Sequence, residues 1–137
     1  MIEDVFNGKD RTQKVLSSFA CSKDEDIVHF LHHRAVEFEE LQKSRTYILI
    51  DEEYLKQHHD MKILGYFTIA LKTFEIPSSL STRARKELDG FSGKVNNAPI
   101  TYMPCYLIGQ LARNDGISKA DMPGEKLLEF AFQFIKK

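Results

Sequence analysis

A chain of 137 residues, 42% hydrophobic and 28% charged, has the apolar content of one folded domain and not the composition of a disordered segment. Nineteen Lys and Arg against twenty Asp and Glu leave a net charge of -1, which excludes a global field drawing the chain to nucleic acid or to an anionic membrane. The longest apolar runs, such as 47–50 and 65–71, fall far short of the roughly 20 residues that span a bilayer, and the acidic start Met1-Ile2-Glu3-Asp4 is no signal peptide, so a cytoplasmic location is expected.

Residues 7–19 carry no decisive pattern. Cys21 and Cys105 stand apart without CxxC spacing and read as buried thiols in a reducing compartment. Ser22-Lys23-Asp24-Glu25 has the S-x-x-E form of a capping box, with the serine oxygen taking one orphan N–H and the glutamate reaching back to another. Ile27, Val28, Leu31, Ala35, Phe38 and Leu41 follow at helical spacing, predicting a helix that ends near Lys43 or Ser44. His29, His32 and His33 share its face and could meet His58 and His59 at a metal. No H-E-x-x-H pattern or partnered carboxylate supports that, and solvated or half-buried histidines are expected instead.

Residues 46–50, β-branched and aromatic, predict a strand closed by Asp51-Glu52-Glu53, followed by a short helix or loop over 53–59. The run ILGYFTIALK, 63–72, is apolar almost throughout, which predicts a central strand buried on both faces. Pro77-Ser78-Ser79 ends it, and Ser79 or Ser81 can cap a basic helix over 82–88 whose Arg83, Arg85 and Lys86 read as a solvated face. Gly90, Gly93, Asn96, Asn97 and Pro99 predict an irregular exposed connection. A third strand over 106–112 and a last helix over 123–136 complete the elements, in one domain without a linker. Leu127, Leu128, Ala131, Phe134 and Ile135 are the expected buried face of that helix, with Phe130 or Phe132 left partly exposed.

The strand, loop and helix spanning 102–134 form the main candidate site. A loop leaving a strand and entering a helix presents free backbone N–H groups and a positive helix dipole, a seat for phosphates. The N–H groups from Ala120 to Lys126 are the expected donors, with Lys119 or Arg113 balancing charge. An ordinary strand-to-helix connection is the competing reading. The loop is neither a Walker loop, which ends in G-K-S/T, nor a G-x-G-x-x-G fingerprint.

In its order of elements, its Gly-Tyr-Phe strand, LIGQLAR and the G-E-K-L-L helix opening, the chain resembles the amino-terminal half of the GNAT superfamily of acetyl-CoA-dependent N-acetyltransferases. The resemblance runs over about 22–137 and implies an α/β fold, a mixed sheet flanked by helices without the carboxyl-terminal strands of a normal GNAT domain. In the family, the strand matching 107–113 splays at a bulge and the pantetheine arm pairs with the freed backbone. Carried over, Leu111, Ala112 and Arg113 would line the pantetheine, and the N–H of Leu111 or Ala112 would polarise the thioester carbonyl. The loop pattern Q/R-x-x-G-x-G/A falls on Lys119-Ala120-Asp121-Met122-Pro123-Gly124, so the resemblance assigns the diphosphate to these positions with Glu125 and Lys126. Lys119 replaces the usual Gln or Arg, Met122 stands where the first glycine belongs, and Pro123 removes a donor.

The activity implied is transfer of an acetyl group from acetyl-CoA to a primary amine of a small molecule, a protein or an aminoacyl group. Glu75, at the end of the apolar strand, is the best-placed base, and the tyrosine that serves as acid in the family belongs to strands beyond this part. Two other readings are a non-catalytic interaction protein, such as a homodimer joined through an exposed sheet edge, and a module that binds coenzyme A without chemistry.

Overall fold

The structure, a computed structural model, describes residues 8–90, 92–95 and 97–136; Asn7 of the indecisive stretch, Phe91 and Asn96 of the expected irregular connection, and Lys137 at the end of the resemblance lie outside the described residues. It divides into two compact units, one running up to Ala70 and resuming at Leu107, the other Leu71–Tyr106.

In the larger unit the indecisive stretch after Gly8 forms helix α1, Lys9–Ser17, which buries Val15 and Leu16, with Phe19 just beyond it. Helix α2, Glu25–His33, starts where the capping pattern places it, but the cap is different. Asp24 Oδ1 accepts from the N–H groups of Asp26 at 3.0 Å and Ile27 at 3.4 Å. Ser22 is held elsewhere, its N–H donating to Asp115 Oδ2 at 2.9 Å, and a carboxylate at the N-cap also meets the helix dipole favourably. The expected single helix breaks at Arg34, φ -123°, into α2 and α3, Ala35–Glu40; the rings of Phe30 and Phe38 meet edge to face across the break at 5.3 Å.

Strand β1, Arg45–Ile50, leads through Asp51, whose Oδ1 caps helix α4, Glu52–His58, and His59 in the left-handed region closes that helix. Strand β2, Ile63–Glu75, lies between β1 and β5, Tyr102–Arg113, in a three-stranded sheet. The β1–β2 pair is antiparallel, with Ile48 opposite Tyr66 and Tyr47 opposite Phe67. Because side chains alternate along a strand, Tyr66 and Phe67 define its two faces. On one, Tyr66 meets Phe19 edge to face at 5.1 Å and donates its hydroxyl to Ile27 O at 2.6 Å. Burial first, and then nearby Cys21 and Asp24, push the ionisation of that hydroxyl well above the ordinary tyrosine range. On the other face lies helix α6, Gly124–Lys136: the Phe134 ring meets Tyr47 tilted by 33° with centroids 4.3 Å apart, and Leu127 Cδ2 would stand 3.1 Å from a Cβ at Gly65.

Burial of β2 on both faces therefore holds for its first half, where Ile63, Tyr66, Phe67 and Thr68 are buried. It fails for the second, since Leu71 is 70% exposed and Phe74 49%. In α6 only Leu127 and Ala131 are buried; Leu128, Phe132 and Phe134 are exposed, so the contact stripe is narrower than the periodicity implies. Cys21 and Cys105 are half-buried free thiols.

In the smaller unit helix α5, Thr82–Asp89, is capped by Ser81 and not by Ser79. The expected irregular connection contains a two-stranded hairpin, β3 Lys94–Val95 with β4 Ala98–Pro99. Arg85 departs most from expectation, being 7% exposed instead of lying on a solvated face. Its guanidinium donates to the carbonyls of Leu80 at 3.3 Å, Pro77 at 3.1 Å and Ser78 at 3.4 Å, and to Ile100 O. The planar fork of five donors matches a ring of turn carbonyls that no apolar side chain could satisfy.

Candidate functional site

Strand β5 pairs with β2 on one side, and no described strand lies on the other. Two rungs fix the pairing: Ile76 N–H to Thr101 O at 2.8 Å, and Asn114 N–H to Leu64 O at 2.9 Å. In an antiparallel ladder such bonds join directly opposed residues. Between the rungs the β2 chain advances 76 - 64 = 12 residues and the β5 chain 114 - 101 = 13. One residue of β5 is therefore extra, which defines a β-bulge. Its place is marked by Gln110, whose N–H donates to the side-chain Oγ1 of Thr68 at 2.9 Å, so that Gly109 and Gln110 both oppose Thr68. A Cβ on Gly109 would lie 3.1 Å from the same Oγ1, tighter than ordinary contact.

The bulge decides which backbone groups reach the open edge. Counting by twos from the inward N–H groups of Gln110 and Asn114, Ala112 faces β2 while Leu111 and Arg113 face outward. Of the two amides expected to meet a thioester, Leu111 is the one on the open side. Pro104 lies on the open side before the bulge, where a missing N–H costs no ladder bond.

The loop that follows, 114–123, is anchored at both ends. Asn114 Nδ2 donates to Ile63 O at 2.8 Å, and its Oδ1 accepts from Ala20 N–H at 2.9 Å. Asp115 N–H donates to Ala20 O at 2.8 Å, and its carboxylate holds Ser22. At the far end Arg113 Nη1 donates to Met122 O at 3.3 Å. Ser118 folds the middle, accepting from Asp121 N–H at its Oγ and from Met122 N–H at its carbonyl, both at 3.1 Å.

The expected row of donors is accordingly thinner than the sequence implies. Asp121 and Met122 donate inside the loop, and Lys126 N–H bonds Pro123 O at 3.1 Å. The N–H groups of Ala120, Gly124 and Glu125 take no partner among the described residues. Met122, standing where the pattern has glycine, is 5% exposed, so its side chain packs inward and leaves the outer surface of the loop clear. Lys119 is exposed on the turn. Glu75, exposed at the end of β2, belongs to the smaller unit, whereas Leu111 to Lys126 belong to the larger.

Thr68, Gly109, Asn114, Asp115 and Ser118 were not legible as site residues. Gly109 alone carried a signal, since a lone glycine inside a strand pattern marks a bulge. The histidines form no metal cluster: among the described residues no group of three His, Cys, Asp or Glu is placed to hold an ion. His29 and His33 are exposed with ring centroids 4.9 Å apart, and His32 Nε2 lies 2.8 Å from Phe19 O. No described helix is long and apolar enough to cross a membrane.

This arrangement is a GNAT-like α/β fold, shared over part of their length with several solved structures. Among solved structures the chain is similar to a tyrosine-to-phenylalanine mutant of KacT, with TM-score 0.64 and 21% identity over 93% of this chain and 65% of that one. It is similar to AtaTR bound with acetyl-CoA, at TM-score 0.63 and 22% identity over 88% of this chain and 60% of that one. A third is AtaT complexed with acetyl-methionyl-tRNAfMet, at TM-score 0.57 and 22% identity over 88% and 61%. The chain thus spans less than two thirds of the length of each. No protein-family model matches the sequence, and no curated protein matches it.

Proposed function

We propose that this chain forms the acetyl-CoA-binding half of an N-acetyltransferase that moves an acetyl group from acetyl-CoA to a primary amine. The observation that carries the reading is the bulged open edge of β5, with the outward amides of Leu111 and Arg113 running toward a loop whose Ala120, Gly124 and Glu125 N–H groups take no partner among the described residues. The edge suits an extended pantetheine arm with amides of its own, and the N–H groups at the start of a 13-residue helix suit a diphosphate. The Leu111 amide would polarise the thioester carbonyl. The amine nitrogen forms its bond to the acyl carbon as the carbon–sulfur bond breaks, and the amine's proton leaves to a base.

Calorimetric titration of acetyl-CoA into the chain, with mass spectrometry of an amine mixture incubated alongside, tests this. The mixture includes aminoacyl-tRNA, because AtaT is solved with an acetylated one. Binding with acetylated product is expected. Binding without product would favour a module that only holds coenzyme A. Absence of binding would sink the reading and favour an interaction role, for which exposed Leu107, Leu128 and Phe132 offer apolar surface.

A further inference from the structure

We propose that Thr68 is a positioning residue that makes Leu111, and not Gln110, the amide presented at the open edge of β5, and so sets a preference for an acetyl thioester over the free thiol of coenzyme A. For its ligand this rests on the acetyl-CoA reading above; its structural part rests on the strand pairing alone.

Thr68 is 3% exposed on the central strand, and its hydroxyl accepts the N–H of half-buried Gln110 at 2.9 Å. That bond holds the extra residue of β5. Alternation has a period of two, so a ladder without the bulge would turn Gln110 to the open edge and Leu111 toward β2. Gly109 makes the arrangement sterically possible, since any side chain there would crowd Oγ1 at 3.1 Å. A methyl group in place of the hydroxyl fills the same volume but accepts nothing, and leaves the half-buried Gln110 N–H without that acceptor. Serine keeps the acceptor.

The ligand consequence follows from what each ligand offers. Acetyl-CoA and coenzyme A share the diphosphate and the pantetheine arm, and differ at the thioester carbonyl. Only the edge amide reads that carbonyl, while the N–H groups of Ala120, Gly124 and Glu125 treat the two alike.

The experiment compares wild type, Thr68→Val and Thr68→Ser by calorimetric titration with acetyl-CoA and with coenzyme A, and by amide hydrogen exchange resolved at Gln110 and Leu111. The valine variant should lose about 3- to 10-fold more affinity for acetyl-CoA than for coenzyme A, the share of one hydrogen bond to the carbonyl that only acetyl-CoA carries, on top of any loss at the pantetheine arm that both share. Exchange at Gln110 and Leu111 should change while Val15, Leu31 and Leu127 keep wild-type protection, and the serine variant should restore both readouts. Equal losses for the two ligands, or unchanged exchange at Gln110 and Leu111, would overturn the proposal. If wild type binds neither ligand, the acetyl-CoA reading and the selectivity claim fall together, and the exchange arm still decides whether Thr68 sets the bulge.

Discussion

Thr46 and Thr68 stand opposite each other across β1 and β2, and their hydroxyls have different fates. Thr68 Oγ1 accepts from Gln110, whereas Thr46 Oγ1 is buried with no hydrogen-bond partner among the described residues. A buried hydroxyl without a partner costs about 1–3 kcal/mol of lost hydration, and nothing at Thr46 offsets it except the strand preference of a β-branched side chain. Valine keeps that preference and the shape without the oxygen. Thr46→Val is therefore expected to stabilise the chain by about 1 kcal/mol, read as a higher urea midpoint at unchanged m-value. The backbone bond from Thr46 N–H to Glu39 Oε2 at 3.0 Å survives the change, so any loss of stability would mean that the hydroxyl has a partner in solution. The same substitution has opposite meanings at the two positions: one removes an idle oxygen, the other the acceptor that holds a bulge.

Helix α2 makes the corresponding point for an element. Its start was legible, because a polar residue ahead of a helical stripe marks an N-terminus whichever residue does the capping. Which residue caps was not legible, since Ser22 is occupied by Asp115, which lies 93 positions along the chain. The two assignments predict different mutants. Asp24→Ala should cost about 1 kcal/mol through the lost cap, and Thr or Asn at this position should recover most of it. Ser22→Ala keeps the N–H bond to Asp115 and loses only a 3.4 Å hydroxyl contact, so its cost should be smaller; thermal melts of the two variants side by side decide the order. The same division runs through the site. Strand β2, the loop and helix α6 were readable from apolar runs and from Gly124, all local signals. The donors already used inside the loop, the inward side chain of Met122 and the Thr68 acceptor depend on partners brought together by folding, and no spacing in the sequence encodes them. Arg85 failed for the same reason: on its helix it looks like one more basic residue, and only the turn at Pro77 and Ser78 and the carbonyl of Ile100 give it an interior to occupy.

For the molecule as a whole, Arg85 tests whether the two units melt separately. The smaller unit, Leu71–Tyr106, has few fully apolar buried side chains, Ile76 and Ile100 among them, whereas the larger holds Leu16, Phe19, Leu31, Ile63, Tyr66 and Leu127. A core so small leaves the smaller unit dependent on its polar centre. Around that centre Gly93 adds a constraint: its φ is +69° and a Cβ would meet Arg85 Cβ and Lys86 N at 3.0 Å, so the chain closes over the arginine backbone. Arg85→Met retains much of the aliphatic bulk but leaves the buried carbonyl of Ile100 unpaired and gives up the part-buried bonds to Leu80, Pro77 and Ser78, a loss of about 1–3 kcal/mol. The larger unit makes none of those bonds. Hydrogen exchange on Arg85→Met should therefore show protection collapsing over 71–106 while amides near Leu16, Leu31 and Leu127 keep theirs, the pattern of a sub-global opening. Protection lost across both units at once would show a single cooperative fold. An unchanged profile would show that the arginine's carbonyl ring contributes little, and that Ile76 and Ile100 suffice to hold the unit.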